Sequence, residues 1–422
     1  MLFRTIISLF FLLDNCAFAQ YNLQYFVDKA LDNSPVAKDY ANLYSINSLQ
    51  AELDKSQNSA FQVYLTSNLL FSPYFNNNGV LLTPNPGSKA IGYDPAITNG
   101  GLYSAQINVE KNILNSGLLD ALNEQRSVQG NSYDNKSVGG KHDLEKQVTD
   151  QYLSALQHLL SYNLSKRIEN NLHNQLTLTG DLVEKGYVKV SDYLQLEIEI
   201  KTQSIAMDQT WQNYRSGLSQ LYSLCGIQDT QTVAIDTVEL KMTGTKSPSR
   251  FLTQFHLDSL SAAAQQQVFE ARYLPQVNLF FNAGLNAVEL VDVQRRLGVS
   301  AGINLSLLIL DGGQRSITRQ QTYLSERTLS NYEDYLAGGI SARRRDSENR
   351  IASLRKNLAD MKAQLTDYEK LLDLSESQLR QGNLSMVEYL TLVRNYVDLQ
   401  KTFIATQINY QLEISNYNYW NW

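Results

Sequence analysis

The sequence predicts a mainly α-helical chain with a membrane β-barrel portion, in which the whole pattern is built twice. Three observations predict this fold class. Two long stretches, 96–247 and 276–422, contain no proline. Four short segments alternate apolar with polar residues, and two pairs of segments match each other at one constant spacing. Proline breaks helix interiors, so the two proline-free stretches are free to form long helices.

Composition and charge exclude several classes of protein. The chain has 422 residues and a formal net charge of −6, from 36 Lys and Arg against 42 Asp and Glu. Nucleic-acid-binding surfaces are usually basic, so we expect no nucleic-acid partner. After residue 20, no apolar run reaches the roughly 18–20 residues of a spanning helix, which excludes an inner-membrane helical transporter. With only four His and two Cys, we expect no metal and no cofactor.

The first 19 residues resemble an export signal. Arg4 precedes the apolar run 6–13, and residues 17–19 read Ala-Phe-Ala, a pattern typical of signal-peptidase cleavage. Lipid attachment at Cys16 is the weaker alternative, because the three residues before it are not small. Removal of this segment leaves only Cys225, so the mature chain has no intrachain disulfide.

The first repeat is expected over residues 20–242. Phe61, Val63 and Leu65 alternate with polar residues, which indicates a strand with one apolar face. A short helix opens the repeat. The predicted elements that follow are strands at about 61–71 and 102–114 and long helices at about 116–180 and 190–225. Gly130 and Gly139-Gly140 are weak helix formers, so we expect an irregular girdle there or nearby.

The second repeat is expected over residues 250–422 and follows the same order. Leu358, Met361 and Leu365 are spaced by three and four residues, as in the apolar seam of a coiled coil. After an opening helix, the predicted elements are strands at about 276–287 and 297–309 and long helices at about 312–380 and 385–418.

The internal duplication is indicated by two gapless matches. Residues 105–117 align with 301–313, and residues 186–194 align with 382–390, both at a spacing of 196 positions. Two separate matches at one spacing favour a repeat more strongly than either alone. The boundary between the halves is expected near 243–249, where Thr, Ser, Gly and Pro are frequent.

Four strands are too few to close a barrel, and an open sheet edge in lipid leaves costly unpaired backbone groups. Two chains would give about eight strands, which enclose only side chains, whereas three would give about 12 and leave room for water. We therefore expect a homotrimer.

The quoted segments resemble the TolC-like outer-membrane efflux proteins. The resemblance rests on Tyr-Leu-Pro-Gln at 273–276, Ile-Leu-Asp-Gly-Gly at 309–313, Arg-Gln-Gly at 380–382, Glu-Tyr-Leu at 388–390 and the opening segment 30–35. It implies a trimer with a 12-stranded outer-membrane barrel in lipid and a long periplasmic helical barrel. It also implies a passive export duct of a tripartite efflux or type I secretion system, with a periplasmic adaptor (membrane fusion) protein and an inner-membrane transporter as partners.

Two groups of residues are candidates for structural and docking roles. Asn115 and Asp311 stand where strand meets helix and are expected to cap the helices, with Gly117, Gly312 and Gly313 relaxing the backbone. Glycine at helix ends also predicts turns at the two helical tips. By match to the family motif, the candidate adaptor-docking residues are Lys185, Gly186, Tyr187, Gln381, Gly382 and Asn383. Turns without a partner remain an equal alternative.

The resemblance also places a candidate periplasmic gate near the second tip. Glu388 matches the first acidic position of the family's tunnel mouth, Thr391 stands at the second, and Asp192 is the equivalent in the first half. A threefold axis would bring three Glu388 carboxylates together as an acidic constriction. The alternative is an ordinary acid that favours the helix dipole.

Two other functions compete with an export duct. The first is a periplasmic coiled-coil scaffold without a pore, which leaves unexplained why four alternating strands carry so little charge. The second is a barrel enzyme. The four histidines are scattered and no nucleophile or metal motif is found, so we expect no catalytic residues.

Overall fold

The computed structural model describes residues 21–75, 79, 81–82, 87–93, 101–186, 188–228, 231–244, 249–288 and 290–422. The expected export signal at 1–19, with Cys16, and the tip residue Tyr187 lie outside the described residues.

Helices dominate both halves of the chain. The first half contains α1 (Leu23–Asn33), α2 (Pro35–Ser59), β1 (Gln62–Phe71), β2 (Gly101–Asn112), α3 (Ser116–Glu184) and α4 (Val190–Leu224). The second half contains α5 (Arg250–Glu270), β3 (Gln276–Ala287), β4 (Leu297–Ser306), α6 (Gln314–Arg380) and α7 (Met386–Trp420), with short 3-10 turns at Ala271–Tyr273 and Leu290–Arg295. This confirms the mainly helical fold class with four strands in one chain.

The four strands form one antiparallel sheet in the order β1-β2-β3-β4. Val63 pairs with Val109, and Val109 pairs in turn with Phe281. Strand β4 ends at Ser306, opposite Gln276, rather than near 309. The residue before Gln276 is Pro275, which has no N–H to extend the ladder.

Helix α3 continues without a break through Gly130 and Gly139-Gly140, so the expected interruption there is wrong. Side chains from other segments lie against two of these glycines, at distances where a Cβ atom would make ordinary van der Waals contacts. A Cβ atom on Gly130 would lie 3.4 Å from the Asn47 amide nitrogen, and one on Gly139 would lie 3.8 Å from the Trp422 ring. Tertiary contacts therefore override the low helix propensity of glycine.

The chain forms two compact units. One contains residues 1–39, 137–251 and 335–422, and the other contains 40–136 and 252–334. Neither unit corresponds to one sequence repeat, because each combines segments of both halves. We call the first the helical unit and the second the sheet unit.

The core of the helical unit surrounds an irregular segment at residues 231–244. Tyr152 donates a hydrogen bond to the Asp236 carbonyl at 2.6 Å, and Tyr222 donates to the Gln231 carbonyl at 2.9 Å. The apolar residues buried around these tyrosines include Phe26, Leu153, Leu218 and Leu221. Tyrosine hydroxyls thus supply donors to backbone carbonyls that no regular structure satisfies.

A second apolar cluster in the helical unit joins two helical hairpins. We call α3–α4 the first hairpin and α6–α7 the second. The buried members are Leu164, Ile168, Leu172, Leu196, Ile200, Leu379, Met386, Tyr389, Leu390, Val393, Val397 and Ile404. Both hairpins contribute, so each buries its apolar seam against the other. Within the described residues, no helix is both long enough and apolar enough to cross a membrane.

Candidate functional site

The sheet has one apolar face and one polar face, defined by alternate residues. The register places Leu65, Ile107 and Ala283 on one side and Thr66, Gln106 and Gly284 on the other. The other members of the apolar face include Val63, Leu69, Val109, Leu279, Phe281, Leu285, Leu297, Val299, Ile303 and Leu305. The other members of the polar face include Gln62, Tyr64, Asn68, Ser104, Asn108, Asn278, Asn282, Asn286, Ser300 and Asn304.

The apolar face is exposed. Leu65 and Leu69 of β1 are 72% and 80% exposed, and Leu297 and Val299 of β4 are 77% and 74% exposed. A soluble sheet normally buries such a face. An exposed apolar face of this size indicates a surface that is covered by another molecule or by lipid.

Amides and hydroxyls form most of the polar face, on which the register also places Leu70, Leu102 and Phe280. Asn108 is buried, and its amide nitrogen donates to the Thr66 hydroxyl at 2.8 Å. The Asn282 amide nitrogen donates to the Ser300 hydroxyl at 3.5 Å. Neighbouring strands thus satisfy part of this face with uncharged groups.

Both sheet edges end at unpaired strands. Among the strands that the structure describes, β1 and β4 each have a neighbour on one side only. In the same unit, α2 exposes Tyr44 and Leu49, and α6 exposes Tyr323 and Tyr332. Helix α2 leads into β1, and β4 leads into α6. Open strand edges together with exposed apolar side chains favour association with further strands and helices.

At the first junction of strand and helix, the two candidate residues make close contacts. The Asn115 amide nitrogen donates to the main-chain carbonyl of Asn58, and the Asn115 carbonyl accepts from the N–H of Leu119. A Cβ atom on Gly117 would lie 2.5 Å from Cδ1 of Leu274. A residue with a Cβ at position 117 would therefore require the flexible end of the Leu274 side chain to shift.

At the second junction, Asp311 accepts several hydrogen bonds. Its carboxylate accepts from the main-chain N–H groups of Gly313 and Arg315 at 2.8 and 2.7 Å and from the Tyr273 hydroxyl at 2.5 Å. The Tyr273 hydroxyl, followed by the N–H of Arg315, lowers the pKa of Asp311. Gly312 and Gly313 have φ of 65° and 84°, a conformation in which glycine avoids strain.

The two hairpin tips are formed by glycine turns. Gly186 and Gly382 have φ of 76° and 73°, and their N–H groups donate to the carbonyls of Val183 and Leu379. Of the other candidate docking residues, Lys185, Gln381 and Asn383 are exposed. These residues lie in two separate turns and present a solvent-facing surface.

The candidate gate residues lie near the starts of two helices. Glu388 is exposed and forms a capping box with Ser385 at the start of α7. Its Oε2 accepts from the Ser385 N–H at 3.1 Å and from the Ser385 hydroxyl at 2.9 Å. These two hydrogen bonds, the backbone one first, lower the pKa of Glu388. The Thr391 hydroxyl donates to the Val387 carbonyl, and Asp192 lies in the first turn of α4.

An ion pair between the hairpins is absent from the sequence-based predictions. Glu199 on α4 is 2% exposed, and its Oε2 accepts from Nη2 and Nε of Arg394 on α7 at 2.7 and 2.9 Å. Gln203 donates to the other carboxylate oxygen at 3.3 Å. The sequence feature that could have indicated this ion pair is the position of Glu199 on the same helix face as Leu196 and Ile200. That pattern predicts a buried charge in need of a partner.

Comparisons with known proteins give a fold rather than a close relative. No protein-family model matches the chain, and no curated protein matches it. Among solved structures, CusC superposes with a TM-score of 0.72 at 13% identity, covering 95% of this chain and 92% of CusC. The Campylobacter jejuni CmeC outer membrane channel gives 0.71 at 13%, covering 94% and 85%. The outer membrane protein VceC of Vibrio cholerae gives 0.71 at 12%, covering 94% and 96%. The chain therefore has the TolC-like fold of outer-membrane channel proteins.

Proposed function

We propose that this chain is the subunit of an outer-membrane export channel, a passive duct of a tripartite efflux or type I secretion system. One observation carries the proposal: the sheet exposes an apolar face on one side and a polar face with little charge on the other, between edge strands that have no second neighbour among the described residues. In an outer-membrane barrel, the apolar face meets lipid and the polar face lines a wet lumen.

The edge strands support a homotrimer. Three sheets joined β4 to β1 close a barrel of about 12 strands and leave no unpaired edge in lipid. The exposed tyrosines of α2 and α6 would be covered in the same assembly. A periplasmic scaffold would keep the apolar face in water, so the exposed side chains favour the channel over the scaffold.

A matched pair of substitutions on β4 tests the proposal. Ile303 is 67% exposed on the apolar face, and its neighbour Asn304 lies on the polar face. Lysine facing lipid costs about 2–4 kcal/mol at the bilayer midplane. Ile303→Lys should therefore reduce the amount of trimer in outer-membrane fractions. Asn304→Lys should still assemble and should change single-channel conductance. If both variants were recovered in equal amounts in the soluble fraction, the result would support the scaffold.

The hairpin tips are proposed as the docking site for a periplasmic adaptor, which links the channel to an inner-membrane transporter. The exposed turns at Lys185-Gly186 and Gln381-Gly382-Asn383 support this role, and Tyr187 is included by its match to the family motif alone. A photo-cross-linking residue at Lys185 or Gln381 should capture the co-expressed adaptor. The same residue at Arg355, exposed within α6, should not.

Glu388, Thr391 and Asp192 are proposed to line the periplasmic mouth. Exposure of Glu388 supports a position at the mouth, although its carboxylate also caps α7. Three such carboxylates would attract cations and bind divalent ions. Glu388→Ala should lower cation selectivity and relieve divalent block in planar-bilayer recordings. Unchanged conductance, selectivity and block would remove Glu388 from the gate.

A further inference from the structure

The four strands carry only two charged side chains, and these lie on opposite faces. Glu110 and Lys111 are consecutive in β2, and no other Asp, Glu, Lys, Arg or His occurs within β1 to β4. The register pairs Glu110 with Gln62 and Phe280, on the polar face, and Lys111 with Leu279, on the apolar face. The polar face of the strands therefore has a single acidic residue and no basic one.

Both charges lie at the same end of the sheet. Glu110 is two residues from the end of β2, and α3 begins four residues after that end. Nζ of Lys111 lies 4.6 Å from the centre of the Phe61 ring. A lysine beside an aromatic ring at a strand end is typical of a membrane interface, where its amine reaches the head groups. Glu110 would then lie in the lumen at the level of that interface.

The Glu110 carboxylate is exposed and held in place by one contact. Its Oε1 accepts from the Tyr64 hydroxyl at 2.5 Å. Tyr64 lies diagonally across the β1–β2 pair, close enough for its long side chain to reach Glu110. No basic residue of the strands shares this face, so the charge is not neutralised within the sheet.

We propose that Glu110 is a charge-selecting residue at the inner end of the barrel, where three copies form an anionic ring that favours hydrated cations and cationic solutes. The inference rests on the proposed trimeric channel. It adds a second selectivity position, within the strands and separate from the hairpin tips. Because the rest of the strands' lumen face is uncharged, this ring would be the charge that the strands themselves contribute to the lumen potential at low salt.

Ion selectivity measured in a neutral phosphatidylcholine bilayer tests the inference. At about 0.1 M KCl the Debye length is about 10 Å, and at about 1 M it is about 3 Å. The wild-type trimer should prefer K⁺ over Cl⁻ in reversal-potential measurements at the lower concentration. Glu110→Gln, which retains an oxygen acceptor for Tyr64, should lower that permeability ratio by about twofold or more. The difference should shrink at the higher concentration.

Two further variants distinguish an effect of the Glu110 charge from a structural effect of the substitution. Glu110→Asp keeps the charge and should keep the K⁺ preference, whereas Lys111→Gln, on the lipid side, should leave the ratio unchanged. An unchanged ratio in Glu110→Gln, or an equal change in Lys111→Gln, would overturn this inference while leaving a conducting channel. A wild-type protein that forms no pore would instead overturn the proposed function.

Discussion

The two hairpin tips occupy matching positions of the sequence repeat but are stabilised differently. Both turn on a glycine with φ near 75°. At the first tip, Lys189 stands at the N-cap of α4 and makes no side-chain capping hydrogen bond. At the second, Ser385 and Glu388 form a complete capping box. The turn geometry is thus common to both repeats, whereas the helix start is firmly fixed in only one.

The contact between the hairpins also breaks the symmetry of the repeat. Glu199 of the first hairpin binds Arg394 of the second. At the repeat spacing of 196, the counterparts of these residues are Asn395 and Ile198, which carry no charge. A duplicated pattern therefore fixes where helices and turns lie, while specificity between the copies comes from residues that differ.

The largest effect is expected from breaking that ion pair. Arg394→Ala leaves the Glu199 carboxylate buried without its partner, which should cost about 2–3 kcal/mol of stability. This cost is smaller than the about 3–5 kcal/mol typical of a fully buried ion pair, because the Arg394 side chain is 58% exposed and water can reach the site. The measurement is the chemical-denaturation midpoint of the purified trimer in detergent.

Arg380→Ala is the matched control. Arg380 pairs with Glu376 one turn away on the surface of α6, and such pairs contribute about 0.3–0.5 kcal/mol. Equal losses in the two variants would mean that the pair between the hairpins contributes no more than a surface contact.

The shared turn geometry predicts similar effects at the two tips. Gly186→Ala and Gly382→Ala each place a Cβ atom in the left-handed region, which costs about 1–2 kcal/mol. A Cβ would meet no neighbour at either position, so backbone strain is the only cause. Gly338→Ala in α6 also has open space, and there alanine should stabilise by about 1 kcal/mol. Thermal unfolding should show a lower melting temperature for the two tip variants and a higher one for Gly338→Ala. A decrease at only one tip would mean that the two turns are not equivalent.

Local patterns in the sequence predicted the strands, the sheet faces and the glycine turns, because each depends on residues near one another in the chain. Alternation around Leu65 is visible without any partner. Glu199 was missed because its partner Arg394 lies 195 positions away. The interruption expected at Gly130 was wrong because packing against Asn47 from another helix favours an unbroken α3.

The N-cap hydrogen bond can be removed from the second tip and introduced at the first. Ser385→Ala should cost about 1 kcal/mol, because the N–H of Glu388 loses its acceptor. Lys189→Ser should stabilise α4 by less than about 1 kcal/mol. Ser191→Ala, within the first turn of α4, should have little effect. Hydrogen exchange at the first-turn amides of both helices measures these changes. Equal protection of both helix starts in the wild type would contradict the comparison.

The smallest effect should appear as a dependence on pH at the second tip. The folded state lowers the pKa of Glu388 below its usual value of 4.5, because the Ser385 N–H and hydroxyl bind the carboxylate. Its charged form therefore stabilises the protein above pH 4.5, and this contribution is lost as the pH falls through the lowered pKa. The difference in melting temperature between the wild type and Glu388→Gln should be constant from about pH 7 to 5 and shrink on further acidification. In a Ser385→Ala background, where the hydroxyl donor is absent, the same comparison should show a weaker dependence. A difference that grows in acid would mean that the carboxylate is destabilised at this position, as expected if acidic side chains crowd around it.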